Sequence, residues 1–251
     1  MKNVLITGAT SGFGKATACL FAENGNNVII TGRRANRLNA LAKEITEKYA
    51  VKALPLCFDV RNRKEVMQTI AQLPEEWKAV DVLVNNAGLA SGFGKIQDGD
   101  FEDWDKMIDT NVKGLLNVSK AVISLMQKRG RGHIINIGST AGKEVYENGN
   151  IYCASKHAVD AISKAMRIDL LKDGIKVTQV CPGAAETEFS EVRFHQDKEK
   201  AKAVYKGYKP MTAENVASIV YYVTTLPENL CINDLVVTSL AQANSYYIEK
   251  K

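Results

Sequence analysis

Short apolar runs alternating with helical spacing constrain this chain more than any other feature. The runs are Val4–Thr7, Val28–Thr31, Ala53–Phe58, Val80–Val84, His133–Ile137 and Lys176–Cys181, rich in valine, isoleucine and leucine. Between them the spacing predicts helices over Gly14–Asn24, Ala35–Tyr49, Arg63–Leu73, Phe101–Lys128 and Asn150–Asp173. Strands that are apolar at almost every position bury both faces, which calls for a parallel sheet covered by helices on each side. The expected fold class is therefore α/β, a doubly wound parallel sheet. No repeat, low-complexity tract or Pro/Gly/Ser linker divides the 251 residues, so a single domain over 1–251 is expected.

Composition narrows the function classes. The formal charge of +5 is spread among acids, as in Asp197-Lys198-Glu199-Lys200, so no basic stripe suits nucleic acid. No apolar run reaches the roughly 18–20 residues that span a bilayer, and no leader pattern precedes Asn3-Val4-Leu5-Ile6, which gives the expectation of a cytoplasmic protein with no membrane partner. The five cysteines lack a C-x-x-C pair and the three histidines are isolated, which predicts reduced thiols and no metal site.

The first strand leads into Thr7-Gly8-Ala9-Thr10-Ser11-Gly12-Phe13-Gly14 and then a helix. Glycines in that position permit a tight turn and close approach of backbone N–H groups to phosphate at a helix N-terminus, a dinucleotide-type arrangement, although such a turn can also be a plain connector. The second strand ends Thr31-Gly32-Arg33-Arg34. An NAD-preferring site places an acid about 20 residues beyond its glycines to hold the ribose 2′-OH. Here two arginines stand instead and can pair with a 2′-phosphate, which selects NADP; of the two, Arg34 is the one better explained as a charge at a helix start. Asp59, beyond the third strand, reads either as an acceptor for the adenine amino group or as a helix N-cap. In Asn85-Asn86-Ala87-Gly88, Asn85 is the cofactor candidate and Asn86 the one holding neighbouring strands. Asn111, inside the long helical pattern and close to Gly114, is a poor helix-interior residue that can bend the helix or hold a water; a surface position is the alternative.

Ser139 follows the fifth strand, and Tyr152-Cys153-Ala154-Ser155-Lys156 opens the next helix. Residues four apart share a helix face, so Tyr152 and Lys156 point the same way. A nearby ammonium is expected to lower the tyrosine pKa and make it a proton donor to a forming alkoxide. By itself the Tyr-x-x-x-Lys spacing fits many helices with a solvated lysine. The turn Pro182-Gly183 after the sixth strand can wrap a nicotinamide.

Taken together, Thr7–Gly14, Asn85–Gly88, Asn111, Ser139, Tyr152-x-x-x-Lys156 and Pro182-Gly183 resemble, in order and spacing, the short-chain dehydrogenase/reductase family over essentially the whole chain. That resemblance implies a Rossmann-like sheet of seven strands, a homotetramer, and a catalytic tetrad of Asn111, Ser139, Tyr152 and Lys156, with the lysine also on the nicotinamide ribose and the asparagine supporting a water relay. It carries NADP contacts onto Gly8, Thr10, Ser11, Gly12, Phe13 and Gly14 of the turn, and onto Arg33, Arg34, Asp59 and Val60. Further contacts fall on Asn85, Ala87, Gly88, Tyr152, Lys156, Pro182, Gly183, Ala185 and Thr187. Within the family, Ile135–Gly142, Thr187–Phe194 and Thr225–Asn233 look most like bacterial NADP-dependent 3-hydroxy acid dehydrogenases acting on L-allo-threonine, L-serine or 3-hydroxypropionate. Residues 186–210 then correspond to a substrate lid, with Ser139 and Arg193 as substrate contacts, Arg193 for a carboxylate. A 3-oxoacyl-carrier-protein reductase or general carbonyl reductase is the alternative, but the former usually has a glycine-rich strand where this chain has Ile232–Leu240. A non-catalytic NADP-sensing protein is disfavoured because all four tetrad positions are kept.

Overall fold

Each apolar run becomes a strand in the computed structural model, which describes residues 1–251. These are β1 (Asn3–Ile6), β2 (Asn27–Gly32), β3 (Ala53–Cys57), β4 (Val80–Asn85), β5 (Gly132–Ile137) and β6 (Ile175–Pro182), joined by a seventh, β7 (Asp234–Val237). The sheet is parallel throughout, in the order β3-β2-β1-β4-β5-β6-β7. Chain direction across the sheet therefore reverses between β1 and β4, the position where doubly wound folds open a crevice at the carboxyl ends of the strands.

Alternate residues within the central strands feed two separate cores, which is why those strands lack an apolar–polar alternation. Leu5, Ile29, Leu83, Ile134 and Val177 pack on one face. They meet α3 (Arg63–Ala71), α6 (Leu115–Gln127) and α7 (Asn150–Asp169) through residues such as Val66, Val118 and Val159. Val4, Ile6, Val28, Ile30 and Val84 pack on the other. They meet α1 (Gly12–Glu23), α2 (Ala35–Lys48) and α10 (Ala213–Tyr222) through Phe21, Leu38 and Val220. The short α4 (Glu75–Lys78) buries Trp77 beside β4.

The helix expected over Phe101–Lys128 is three pieces: α5 (Phe101–Ile108), a π-helical turn over Asp109–Gly114, and α6. Asn111 lies in that turn, so the polar interruption read from the sequence is real and takes the form of an extra residue in the turn. Two short helices, α8 (Glu188–Arg193) and α9 (Lys198–Ala203), follow β6 and were not predicted.

Candidate active site

The glycine turn sets the floor of the crevice. Gly8 has φ +68°, a conformation costly for any side chain, and a Cβ on Gly14 would lie 2.3 Å from the Gly8 carbonyl oxygen. Helix α1 can thus start hard against the end of β1. The crevice runs from this turn past Arg33, Arg34 and Asp59 to Ser139, Tyr152 and Lys156, and its outer wall is α8.

Ser139, Tyr152 and Lys156 stand together on the deep wall, each no more than 9% exposed. Ser139 caps the turn after β5: its Oγ accepts from the Ala141 N–H at 3.1 Å and donates to the Pro182 carbonyl at 3.4 Å. Lys156 Nζ donates to the Ile137 carbonyl at 2.9 Å and lies 5.9 Å from the centre of the Tyr152 ring, as the one-turn spacing requires. Burial pushes the Lys156 ammonium down to about 8. Burial also raises the Tyr152 phenol, reinforced by the Tyr146 phenol, and outweighs the downward pull of the Ser139 hydroxyl and the Arg193 guanidinium. The expected lowering of the Tyr152 pKa by Lys156 is therefore not met in the chain alone, because taking the phenol out of water costs its anion more than its neighbours return.

Asn111 is buried behind this wall. Its Oδ1 accepts from the Leu89 N–H at 2.8 Å, while Nδ2 donates to the Leu89 carbonyl at 2.8 Å and to Ser155 Oγ at 2.9 Å. A point one Cβ bond from Gly88 is 3.2 Å from Asn111 Oδ1 and 3.6 Å from Lys156 Nζ, so the two residues flank the same narrow space.

Thr10, Ser11, Gly12, Phe13, Val60, Ala87, Gly88, Pro182, Gly183, Ala185 and Thr187 line the crevice with Gly8. Gly14 and Asn85 do not. Gly14 serves helix packing, and Asn85 turns inward to donate to Ser119 Oγ at 2.8 Å and Asn136 Oδ1 at 2.9 Å. The asparagine facing the crevice is Asn86, which also donates to the Thr7 carbonyl at 2.8 Å, as expected of a residue linking strands. The exchange follows from strand geometry: Asn85 ends β4 with its side chain between sheet and α6, and the next residue points the other way.

Asp59 is not a helix cap; Asn62 caps α3. Although burial works to raise it, Asp59 is held below the usual carboxylate range by Arg61, which forms an ion pair with it at 2.7 Å, and by Arg33 at 3.8 Å. Arg34 opens α2 as expected, but it is more than a surface charge. Its guanidinium reaches Thr10 Oγ1, Ser11 Oγ and Glu188 at 2.7–3.1 Å.

Arg193, the last residue of α8, is the most unusual group. Its guanidinium carbon lies 4.6 Å from the centre of the Phe93 ring, 5.4 Å from Tyr146 and 5.7 Å from Tyr152. Its Nε and Nη2 are buried with no protein acceptor. Stacking on aromatic faces holds such a cation without using its N–H groups, leaving them for an anion in the crevice. Sequence reasoning missed Tyr146, Phe189, Gln242 and Ser245, all of which line the crevice. Phe189 sits in the short helix α8 and the others in irregular or C-terminal segments with no motif, and only the fold brings them here.

A phosphate-approaching turn at the switch point of a doubly wound sheet, with a buried Tyr–Lys pair across the same crevice, defines a dinucleotide-dependent class of enzyme. Within that class, residues 2–198 match the family of short chain dehydrogenases, and the chain belongs to that family. It is 46% identical over 241 residues to an NADP-dependent 3-hydroxy acid dehydrogenase of Salmonella typhi, covering 96% of each chain. It is 45% identical over 245 residues to a sulfoacetaldehyde reductase of Chromohalobacter salexigens, covering 97% of this chain and 96% of the relative. Among solved structures it is similar to the closed form of a serine dehydrogenase complexed with NADP+, with TM-score 0.92 and 42% identity over 99% of each chain.

Proposed function

We propose that this chain is an NADP-dependent oxidoreductase that moves hydride between the nicotinamide and the hydroxyl or carbonyl carbon of a small 3-hydroxy acid. The observation that carries the substrate class is Arg193: a half-buried arginine whose buried Nε and Nη2 have no protein acceptor, beside the Tyr152 ring, suits a carboxylate only a few bonds from the reacting carbon. The relatives named NADP-dependent 3-hydroxy acid dehydrogenase and serine dehydrogenase support the same reading. For the cofactor, the chain has arginines and no acid directly after β2, and these arginines line the crevice together with Gly8 and Gly12 of the glycine turn. These residues fit a dinucleotide with a 2′-phosphate.

The crevice residues would hold NADPH, which when bound would serve as the hydride donor for the substrate carbonyl carbon. Ser139 can turn its O–H from the long bond to Pro182 towards the carbonyl oxygen. Tyr152 gives that oxygen its proton, and the Lys156 ammonium stabilises the phenolate that remains. In oxidation Tyr152 takes the hydroxyl proton back. Asn111 acts as a positioning residue, tying the π turn to Leu89 and Ser155 and so fixing the wall that Lys156 occupies. Residues 186–210 form the substrate lid of a single domain spanning 1–251. We further propose a cytoplasmic homotetramer; five unpaired cysteines agree with a reducing compartment, and light scattering measures the assembly.

The test is NADP+ reduction with L-serine, the threonine diastereomers, 3-hydroxypropionate, 3-hydroxybutyrate and simple secondary alcohols, alongside NADPH oxidation with sulfoacetaldehyde. Turnover of the hydroxy acids with a KM raised about 10- to 100-fold in Arg193→Ala is the expected result. Preference for uncharged alcohols, or an unchanged KM in that variant, overturns the substrate class. A sulfonate pairs with the same guanidinium, so preference for sulfoacetaldehyde would keep Arg193 in its role and move the substrate to the sulfonate.

A further inference from the structure

The lid helix α8 is fastened at its first residue as well as bearing Arg193 at its last. The Glu188 carboxylate accepts from Arg34 Nη1 at 3.1 Å and from Arg37 Nη1 at 2.8 and 3.1 Å. Arg34 is itself fixed to the glycine turn, donating to Thr10 Oγ1 through Nε and Nη2 and to Ser11 Oγ through Nη2. Immediately before Glu188, Thr187 packs across Gly12, its Cγ2 lying 3.5 Å from where a Cβ would stand. The start of α8 therefore crosses the phosphate end of the crevice and is tied to α2 on the far side. Arg37 is not among the residues lining the crevice, and its ion-pair partner is Glu188.

Resting on the NADPH reading above, we propose that Glu188 and Arg37, with Arg34, form an ionic strap over the cofactor channel that sets how long the bound cofactor stays. Side chains in the strap are 43–50% exposed, so it is a fastening that opens and recloses, not part of the core. Exposed ion pairs contribute little individually. Two of them on one carboxylate, across the path a dinucleotide takes to leave, act directly on the exit step. A competing arrangement has the opposite sign: if the Glu188 carboxylate mainly contested Arg34 with the cofactor 2′-phosphate, removing its charge would make NADPH leave more slowly.

The experiment measures NADPH dissociation from the full chain by stopped-flow displacement with excess NADP+, in wild type, Arg37→Gln, Glu188→Gln and the double variant. Each single change is expected to speed release about three- to tenfold. The double variant should be no faster than the faster single, since both remove one strap. Raising salt should speed release in wild type more steeply than in the double variant, where only the arginine–phosphate contacts remain to be screened. Release within twofold of wild type, slower release in Glu188→Gln, or additive effects in the double variant overturn the strap. If wild type shows no saturable NADPH binding, the cofactor reading itself has failed, a result distinct from any of these.

Discussion

Tyr152 and Lys156 are both buried where their charged forms are disfavoured. The phenol is pushed up and the ammonium down, each chiefly by burial. Chemistry at Tyr152 is tested by Tyr152→Phe, which removes one oxygen from a ring that stays packed against Phe189 at 5.6 Å. Turnover is expected to fall about 10²- to 10⁴-fold while NADPH binding stays within a few-fold, measured by steady-state kinetics and fluorescence titration. Turnover near the wild-type rate would remove Tyr152 from the reaction. Lys156 gives a second residue-level prediction. Its folded pKa, about 8, lies below the ordinary lysine value of 10.5, so its contribution to stability is present above 10.5 and lost as pH falls through 8. Lys156→Met should therefore gain about 1–3 kcal/mol in the cofactor-free chain at pH 7, after allowing for the lost bond to Ile137. That gain should shrink by pH 10, read by chemical denaturation at both values; a variant less stable at pH 7 refutes the burial cost.

At the scale of elements, β5 and β6 are joined by more than their backbone ladder. The His133 ring bonds Thr178 Oγ1 at 2.8 Å, and burial, helped by Lys176 and Lys2, pushes the imidazole down to about 3. The neutral ring is what the strand pair accommodates. Stability from this group is intact above about 6.5 and is lost as pH falls towards 3. Urea unfolding from pH 7 to 4 should show a shallower pH dependence in His133→Gln than in wild type, whatever the variant costs at pH 7; parallel curves would reject this origin. The same strands show what could be read in advance. Six apolar runs stood out, most of them because both faces are buried, and the π turn announced itself through Asn111 close to Gly114. β7 did not, since this four-residue edge strand alternates exposed and half-buried positions. Nor did α10, whose capping box pairs Thr212 with Asn215 where the usual signal is Glu or Gln.

Across the whole molecule, the deep wall of the crevice was legible and its outer wall was not. Ser139, Tyr152 and Lys156 follow regular elements, so helical spacing put Tyr152 and Lys156 on one face and the family resemblance joined Ser139 to them. Asn86 links strands as expected, but it and not Asn85 also faces the crevice, because adjacent residues at a strand end face opposite ways and sequence does not show which way is the crevice. Arg193 was named through the lid resemblance, but its aromatic neighbours Phe93 and Tyr146 come from irregular stretches that meet it only through the fold. Far along the chain, beyond the sheet, Gln242 Oε1 accepts from the Ala184 N–H at 2.8 Å, and Ser245 and Ile248 reach the crevice. The last residue's N–H donates to the Gly207 carbonyl at 2.7 Å. A chain cut after Leu240, which is fully exposed, would keep every strand and both cores. It would nevertheless leave Ala184 without its acceptor and open the side of the chamber bounded by Ser245 and Ile248. Proteolytic loss of so short a tail would leave the sheet standing while unbracing the turn after β6 that closes one end of the crevice.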